Sequence, residues 1–177
     1  MKNGQIENKR NTGRTILKYC SCIPAIIMMV IIFKFSAANG VESSGTSSGL
    51  LEGIISKIGE VLPIEMEIQQ KAWLVEVLET PLRKCAHMTE YMCLALFVML
   101  PFYVFGKRGR SLICRSAVVS IVYACTDELH QYFVPGRAGR IMDICIDSIG
   151  VWIGIGIGML FMLKMEKRID KQFSNTL

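Results

Sequence analysis

Residues 141–163 read IMDICIDSIGVWIGIGIGMLFML, and this stretch decides the fold class. It is longer than the ~20 residues that a helix needs to cross a bilayer. Its only charged residues are Asp143 and Asp147, both near its beginning. The stretch therefore predicts a membrane-spanning helix that carries two carboxylates at one end.

Three further apolar segments precede it, at about 16–33, 85–105 and 111–130. The whole chain of 177 residues is 51% hydrophobic and 20% charged, with a mean hydropathy of +0.39. A soluble domain carries about 25% charged residues, and at roughly 150 residues per domain this length fits one domain. The sequence therefore excludes a soluble enzyme. It predicts an all-α polytopic membrane protein that forms a single domain over 1–177. The three segments above and the stretch 141–163 are its four predicted transmembrane helices.

The distribution of charge predicts the orientation. If the N-terminus is cytoplasmic and the helices alternate, the cytoplasmic parts are 1–18, 106–115 and 164–177. These parts contain 13 of the 20 Lys and Arg residues but only three acids, Glu7, Glu166 and Asp170. This satisfies the positive-inside rule, so we expect a multi-pass protein of the cell membrane with both termini cytoplasmic. The net charge of +5 then reflects topology, and no basic–aromatic pattern predicts a nucleic-acid partner.

The segment 34–84 is predicted to be an outer loop. It opens with FSAANGVESSGTSSG, a Gly/Ser-rich stretch that predicts irregular structure. Apolar residues at spacings of three and four between Leu50 and Leu62 then predict an amphipathic helix that ends at Pro63. A second helix is expected over about 65–79, with Pro81 after it. Two roles stay open for these helices: they cover the bundle along the outer leaflet, or they form a collar that gathers substrate.

Polar residues recur at the outer ends of three spans. Ionisable groups inside a membrane are costly, at least about 2.5–3.5 kcal/mol each on insertion scales, and they mark a site by default. Under the predicted topology the three clusters fall at one outer level, so the sequence predicts one convergent pocket facing outward. Its candidate residues are His87, Glu90, Tyr91, Asp127, Glu128, His130, Gln131, Arg137, Asp143 and Asp147. Arg137 follows a predicted Pro-Gly turn, and two roles stay open for it. It binds lipid head groups, or it lies over the acidic pocket, where it neutralises the acids or holds a phosphate.

Small residues support this arrangement. Gly150, Gly154 and Gly158 continue the stripe of Asp143 and Asp147 at four-residue spacing. Small residues allow a neighbouring helix to approach closely, so the aspartates are expected to point into the bundle. The same glycines also offer a face for a homo-oligomer.

The polar motifs resemble a known family. HxxEY at 87–91, DELHQxFxPGR at 127–137 and DxxxDxxG at 143–150 are similar to the signature of VanZ-like membrane proteins. Lys84 and the Phe35–Ser36 pair fit as well, whereas the usual last motif has asparagine where this chain has Asp147. The resemblance implies a bacterial plasma-membrane protein, in a family whose founding member is associated with resistance to the lipoglycopeptide teicoplanin.

Three mechanisms are compatible with these observations. The first is a cell-envelope factor that changes how lipoglycopeptides or lipid-linked wall precursors meet the outer membrane surface, with membrane lipid as a partner. The second is a membrane enzyme in which the histidines and acids hold a divalent metal (magnesium, manganese or zinc) or perform acid–base chemistry on an outer-leaflet lipid-linked substrate. The third is a transporter or proton pathway, for which four spans are few.

Overall fold

The structure, a computed structural model, describes residues 13, 15–38, 40–61, 67–137 and 139–174. Five helices follow a short helical stretch at 15–20, and this part of the chain contains no strand. They are α1 (Ile23–Ala37), α2 (Gly40–Val61), α3 (Ile68–Val104), α4 (Gly109–Tyr132) and α5 (Ile141–Ser174). The fold is therefore all-α, as the composition predicts.

Three helical segments in the described part are long and apolar enough to cross a membrane: Thr15–Ala37, Ile68–Val104 and Ile141–Arg168. They contain the predicted spans 16–33 and 141–163, and all of 85–105 except its last residue. The predicted span 111–130 does form a helix, α4, but α4 is not apolar enough to be one of these three segments. The reason is charge: Arg110 and Arg115 lie near its beginning, and Asp127 and Glu128 near its end.

The outer segment differs from the prediction in two ways. Most of the Gly/Ser-rich stretch is not irregular, because α2 already begins at Gly40. The second helix does not end before Pro81 but continues without a break into the following span as α3. The predicted end of the first helix at Pro63 and the start of the second at Glu65 lie outside the described residues.

Packing of α2 against α3 accounts for both differences. Ser48 donates a hydrogen bond to Glu79 at 3.3 Å, and Arg83 donates one to Ser44 at 3.4 Å. Pro81 lacks an N–H and so deprives the helix of one hydrogen bond, yet the contacts on both sides of it hold the backbone helical. Local sequence rules for glycine, serine and proline are here overridden by contacts between helices.

The core lies where α1, α3, α4 and α5 meet. Its largest fully buried side chains include Tyr91, Leu94 and Met99 of α3, Ile32 of α1 and Leu112 of α4. By contrast, many apolar side chains of α1 and α5 point outward, among them Ile26, Ile27, Trp152 and Ile153. An outward apolar surface of this kind is suited to lipid.

The glycine stripe of α5 packs against α3. A Cβ at Gly150 or Gly154 would overlap the backbone carbonyl of Met88 or Met92, and one at Gly158 would meet the Met99 side chain. The two helices therefore approach more closely than any larger residue allows. The stripe is occupied within one chain, so a homo-oligomer would have to form through another face.

Candidate functional site

A polar cavity of about 610 Å³ opens where the end of α4 meets the beginning of α5. Three consecutive helices build it: α3 passes through this level, α4 ends there and α5 begins there. The cavity is lined by Ser44, Thr80, Arg83, Lys84, His87, Glu128, Gln131, Gly136, Arg137, Arg140, Asp143, Ile146 and Asp147. We refer to this cavity as the pocket.

Helical spacing positions the lining side chains. Lys84 and His87 are three apart on α3, Glu128 and Gln131 are three apart on α4, and both pairs therefore share a helix face. Asp143 and Asp147 are one turn apart on α5 in the same way. The three polar motifs, which lie far apart in the sequence, thus contribute to one cavity.

An ion pair joins α3 to α5 at the pocket. The Lys84 Nζ lies 2.5 Å from Asp143 Oδ1, and the two side chains are 33% and 28% exposed. One turn further along α5, Asp147 is only 3% exposed. The pocket thus has an opening at the level of Lys84 and Asp143 and a floor at the level of Asp147.

Arg137 connects the pocket to α1. Its Nε donates a hydrogen bond to the Ala38 carbonyl and its Nη2 donates one to the Phe35 carbonyl, both at 3.1 Å. Burial, followed by the charge of Arg83, lowers the pKa of the guanidinium. Of the two roles considered for Arg137, this geometry corresponds to a place in the pocket wall.

Glu128 closes the wall on the α4 side. It is 6% exposed and accepts a hydrogen bond at 2.9 Å from the backbone N–H of Arg140. The connection after α4 therefore folds back onto α4. Gly139 lies at this contact, where a Cβ would come within 2.6 Å of the Glu128 carbonyl oxygen.

A second polar cluster lies beside the pocket among α1, α3 and α4. Asp127 is 4% exposed, and its Oδ2 accepts a hydrogen bond from Gln131 at 3.2 Å. The hydroxyls of Ser36 and Tyr91, both fully buried, approach the same carboxylate without the geometry of a hydrogen bond. Asp127 and Tyr91 thus belong to the inner packing of the bundle and do not line the pocket.

The two histidines have different surroundings. His87 lines the pocket, and its Nδ1 lies 3.3 Å from Glu90 Oε2. The ring of His130 stacks on Phe33 of α1 with centroids 4.6 Å apart, outside the pocket. On α4, Asp127 contacts Gln131, whereas His130 lies against α1.

Six of the ten candidate residues therefore line the pocket, and four do not. Those that line it are His87, Glu128, Gln131, Arg137, Asp143 and Asp147; the others are Glu90, Tyr91, Asp127 and His130. The candidate set predicted from the sequence did not include seven other lining residues: Ser44, Thr80, Arg83, Lys84, Gly136, Arg140 and Ile146. Arg83 and Thr80 lie one and two turns before His87 on α3, a spacing that would have identified them had the helix been extended through Pro81. Ser44 has no such signal, because its place depends on α2 packing against α3.

Within the described residues, no group of three or more His, Cys, Asp and Glu side chains is arranged to hold a metal ion. The carboxylates of the pocket come instead with cationic partners or backbone donors, as at Asp143 and Glu128. The chemistry that this arrangement offers is recognition of charged and hydrogen-bonding groups, with a His–carboxylate pair at one side.

A family model described as VanZ/LLP1 matches residues 21–162. The matched region contains all three polar motifs and every residue that lines the pocket. No curated protein and no solved structure matches the chain at a significant level. Because the family match extends over well more than half of the sequence, the chain belongs to the VanZ-like family.

Proposed function

We propose that this VanZ-like protein is a cell-envelope factor that modifies how lipoglycopeptide antibiotics such as teicoplanin, or lipid-linked wall precursors, interact with the outer membrane surface. The observation that carries the proposal is the polar pocket, which the three family motifs build together at one end of the bundle. The proposal includes four membrane spans, with both termini cytoplasmic and the pocket on the extracytoplasmic side.

The packing of α4 supports its role as the remaining span. It contacts α1, α3 and α5, the three helices that contain the membrane-length segments. Leu112, Ser116, Ser120 and Ala124 are buried at these contacts. At 1.5 Å per residue its 24 residues extend about 36 Å, enough for a hydrocarbon core of about 30 Å. Its charged residues lie near its two ends: Arg110 and Arg115 are exposed, whereas Asp127 and Glu128 are buried against the other helices.

Charge supports the orientation. Of the two ends of the bundle, the one opposite the pocket carries Lys107, Arg108, Arg110 and Arg115 in the α3–α4 connection and the beginning of α4. Under the positive-inside rule this basic end is cytoplasmic. The pocket end is then extracytoplasmic.

The size of the pocket limits what it can hold. Sites for small molecules are typically about 300–1,000 Å³, and the 610 Å³ of this pocket accommodates a head group or a sugar, not an entire lipoglycopeptide. The protein is therefore proposed to act on one polar part of a larger, membrane-anchored molecule.

Susceptibility to teicoplanin and vancomycin tests the proposal. A Gram-positive host would express the wild type or Glu128→Gln, which removes the charge but keeps an oxygen for the Arg140 N–H. Glu166→Gln, an exposed residue past the last apolar segment, is the matched control. We expect wild type and control to raise the teicoplanin inhibitory concentration selectively, and Glu128→Gln to lose at least half of that protection at equal membrane level. Equal susceptibility with and without the wild-type protein would contradict the proposal.

The alternative is a membrane enzyme that acts on an outer-leaflet lipid-linked substrate, with or without a metal. The observation that favours it is the 3.3 Å contact of His87 with Glu90 beside the pocket, since a carboxylate that orients an imidazole is a common element of acid–base sites. The enzyme alternative is supported if the purified protein turns over a lipid-linked diphosphate and His87→Gln abolishes that activity. It is excluded if no turnover occurs with magnesium, manganese or zinc present.

A further inference from the structure

The opening of the pocket has more cationic than anionic groups. Four cationic side chains line the pocket, from Arg83, Lys84, Arg137 and Arg140. One of them, Lys84, is neutralised by Asp143 at 2.5 Å. The remaining carboxylates that line it, Glu128 and Asp147, are 6% and 3% exposed. The acidic groups thus lie deep in the pocket, and the arginines lie towards its opening.

Among the described residues, several N–H groups of Arg83 and Arg137 have no hydrogen-bond partner. A guanidinium has five donors, and Arg137 uses two of them for backbone carbonyls. Within the described part of the chain Arg137 has no carboxylate at ion-pair distance, and Arg83 has only Glu79 at a long 3.9 Å. Arg83 makes one further contact, the 3.4 Å hydrogen bond to Ser44.

The two guanidinium groups also repel each other. Besides burial, the charge of Arg83 lowers the pKa of Arg137, while the carboxylates of Asp127, Glu128 and Glu90 each have an opposite effect that is individually smaller. Like charges that share a cavity destabilise it when no anion lies between them. An anionic group bound there would remove this repulsion and engage the unpaired N–H groups.

We propose that the opening of the pocket binds a phosphate group between Arg83 and Arg137, with the hydroxyls of Thr80 and Ser44 as additional donors. The donors come from three elements, α2, α3 and the α4–α5 connection, and so converge from several directions. A tetrahedral phosphate accepts hydrogen bonds in this way, whereas a planar carboxylate is matched by one guanidinium fork. The inference rests on the proposed function and deepens it, since it names the chemical group that the pocket recognises.

Calorimetric titration of the full-length protein in detergent tests this inference. The probes are inorganic pyrophosphate, farnesyl diphosphate and, as an anion without phosphorus, citrate. We expect both phosphate probes to bind and citrate to bind at least ten-fold more weakly. Tighter binding of farnesyl diphosphate would indicate a lipid-borne phosphate, and equal binding a free one.

Variants assign the binding to the pocket. Arg83→Gln is expected to weaken phosphate binding at least ten-fold, and Arg137→Lys, which keeps the charge but loses the fork, at least three-fold. Arg110→Gln, an exposed residue at the other end of α4, is the matched control and should bind as the wild type does. If Arg83→Gln fails to fold, Arg137→Lys decides the question.

Unchanged affinity in the folded pocket variants, no binding of either phosphate probe, or equal binding of citrate would overturn the inference. Such a result is distinguishable from failure of the proposed function. If teicoplanin protection depends on Glu128 but the protein binds no phosphate probe, the proposed function is supported and the phosphate inference is wrong. If phosphate binding depends on Arg83 but the protein gives no protection, the phosphate inference is supported and the proposed function is wrong.

Discussion

At the scale of single residues, contact distance separates ion pairs that join helices from those that do not. The Lys84–Asp143 pair joins α3 to α5 at 2.5 Å with both side chains about one third exposed. Arg83 and Glu79 lie on one helix, four residues apart, and their nearest atoms are 3.9 Å apart. The two pairs are similarly buried, so the shorter distance is what makes the attraction between Lys84 and Asp143 the stronger.

A double-mutant cycle measures this difference. For Lys84→Gln and Asp143→Asn we expect a coupling of about 1 kcal/mol in the free energy of unfolding in detergent. For Arg83→Gln and Glu79→Gln, the control pair, we expect at most about 0.5 kcal/mol. Chemical unfolding followed by circular dichroism provides both values. Couplings of equal size would show that the link between α3 and α5 adds nothing to the local pair.

At the scale of helices, the glycines of α5 differ in their surroundings. Gly150 and Gly154 are buried against the α3 backbone, whereas Gly156 has nothing within 4 Å of the position its Cβ would occupy. The first two allow close helix packing, and Gly156 faces away from it. Only contact with α3, not the glycine content of the stretch, distinguishes them.

Gly154→Ala is therefore expected to destabilise the protein by about 1–3 kcal/mol, since the added methyl group overlaps the Met92 carbonyl and the helices must separate. Gly156→Ala, two residues away, is the matched control. It should be neutral or stabilising by up to about 1 kcal/mol, because alanine favours the helical conformation. Thermal unfolding in detergent compares the two. A destabilisation of the same size at Gly156 would refute the assignment of the packing face.

Helix α3 connects the contacts with α2 to the pocket. Its 37 residues join a segment outside the predicted span to the span itself through Pro81. Residues that contact α2, including Glu79 and Arg83, are therefore rigidly connected to His87 in the pocket. Helix α2 and the α3 side of the pocket are therefore connected through one helix–helix contact.

At the scale of the whole molecule, the number of spans determines where the C-terminus lies. If α4 crosses the membrane with the other three helices, both termini are on the same side, which is the cytoplasmic side in the orientation proposed above. If only the three strongly apolar segments cross, the C-terminus and the N-terminus lie on opposite sides. The two arrangements place the connection between α4 and α5 on opposite sides as well.

Reporter fusions distinguish the arrangements. We expect a fluorescent protein fused after Leu177 to fluoresce, as it does in the cytoplasm, and alkaline phosphatase inserted after Gly136 to be active, as it is outside. Phosphatase inserted after Lys107 is the control, because the connection between α3 and α4 is cytoplasmic in both arrangements and the enzyme should be inactive there. A dark C-terminal reporter with an inactive phosphatase at Gly136 would refute the four-span topology.

The all-α class, the family and three of the membrane-length segments follow from the sequence alone, because hydropathy and motif spacing are local properties. The sequence also predicted that residues around 87, 128 and 143 converge, since the cost of polar groups in an apolar segment is paid back only by mutual contact. Tertiary structure decided which residues line the pocket. Arg83 and Ser44 reach it because α2 packs on a helix that continues through Pro81, and His130 leaves it for Phe33 because α1 lies on that side of α4. Such choices depend on how each helix is rotated against its neighbours, and no single segment contains that information.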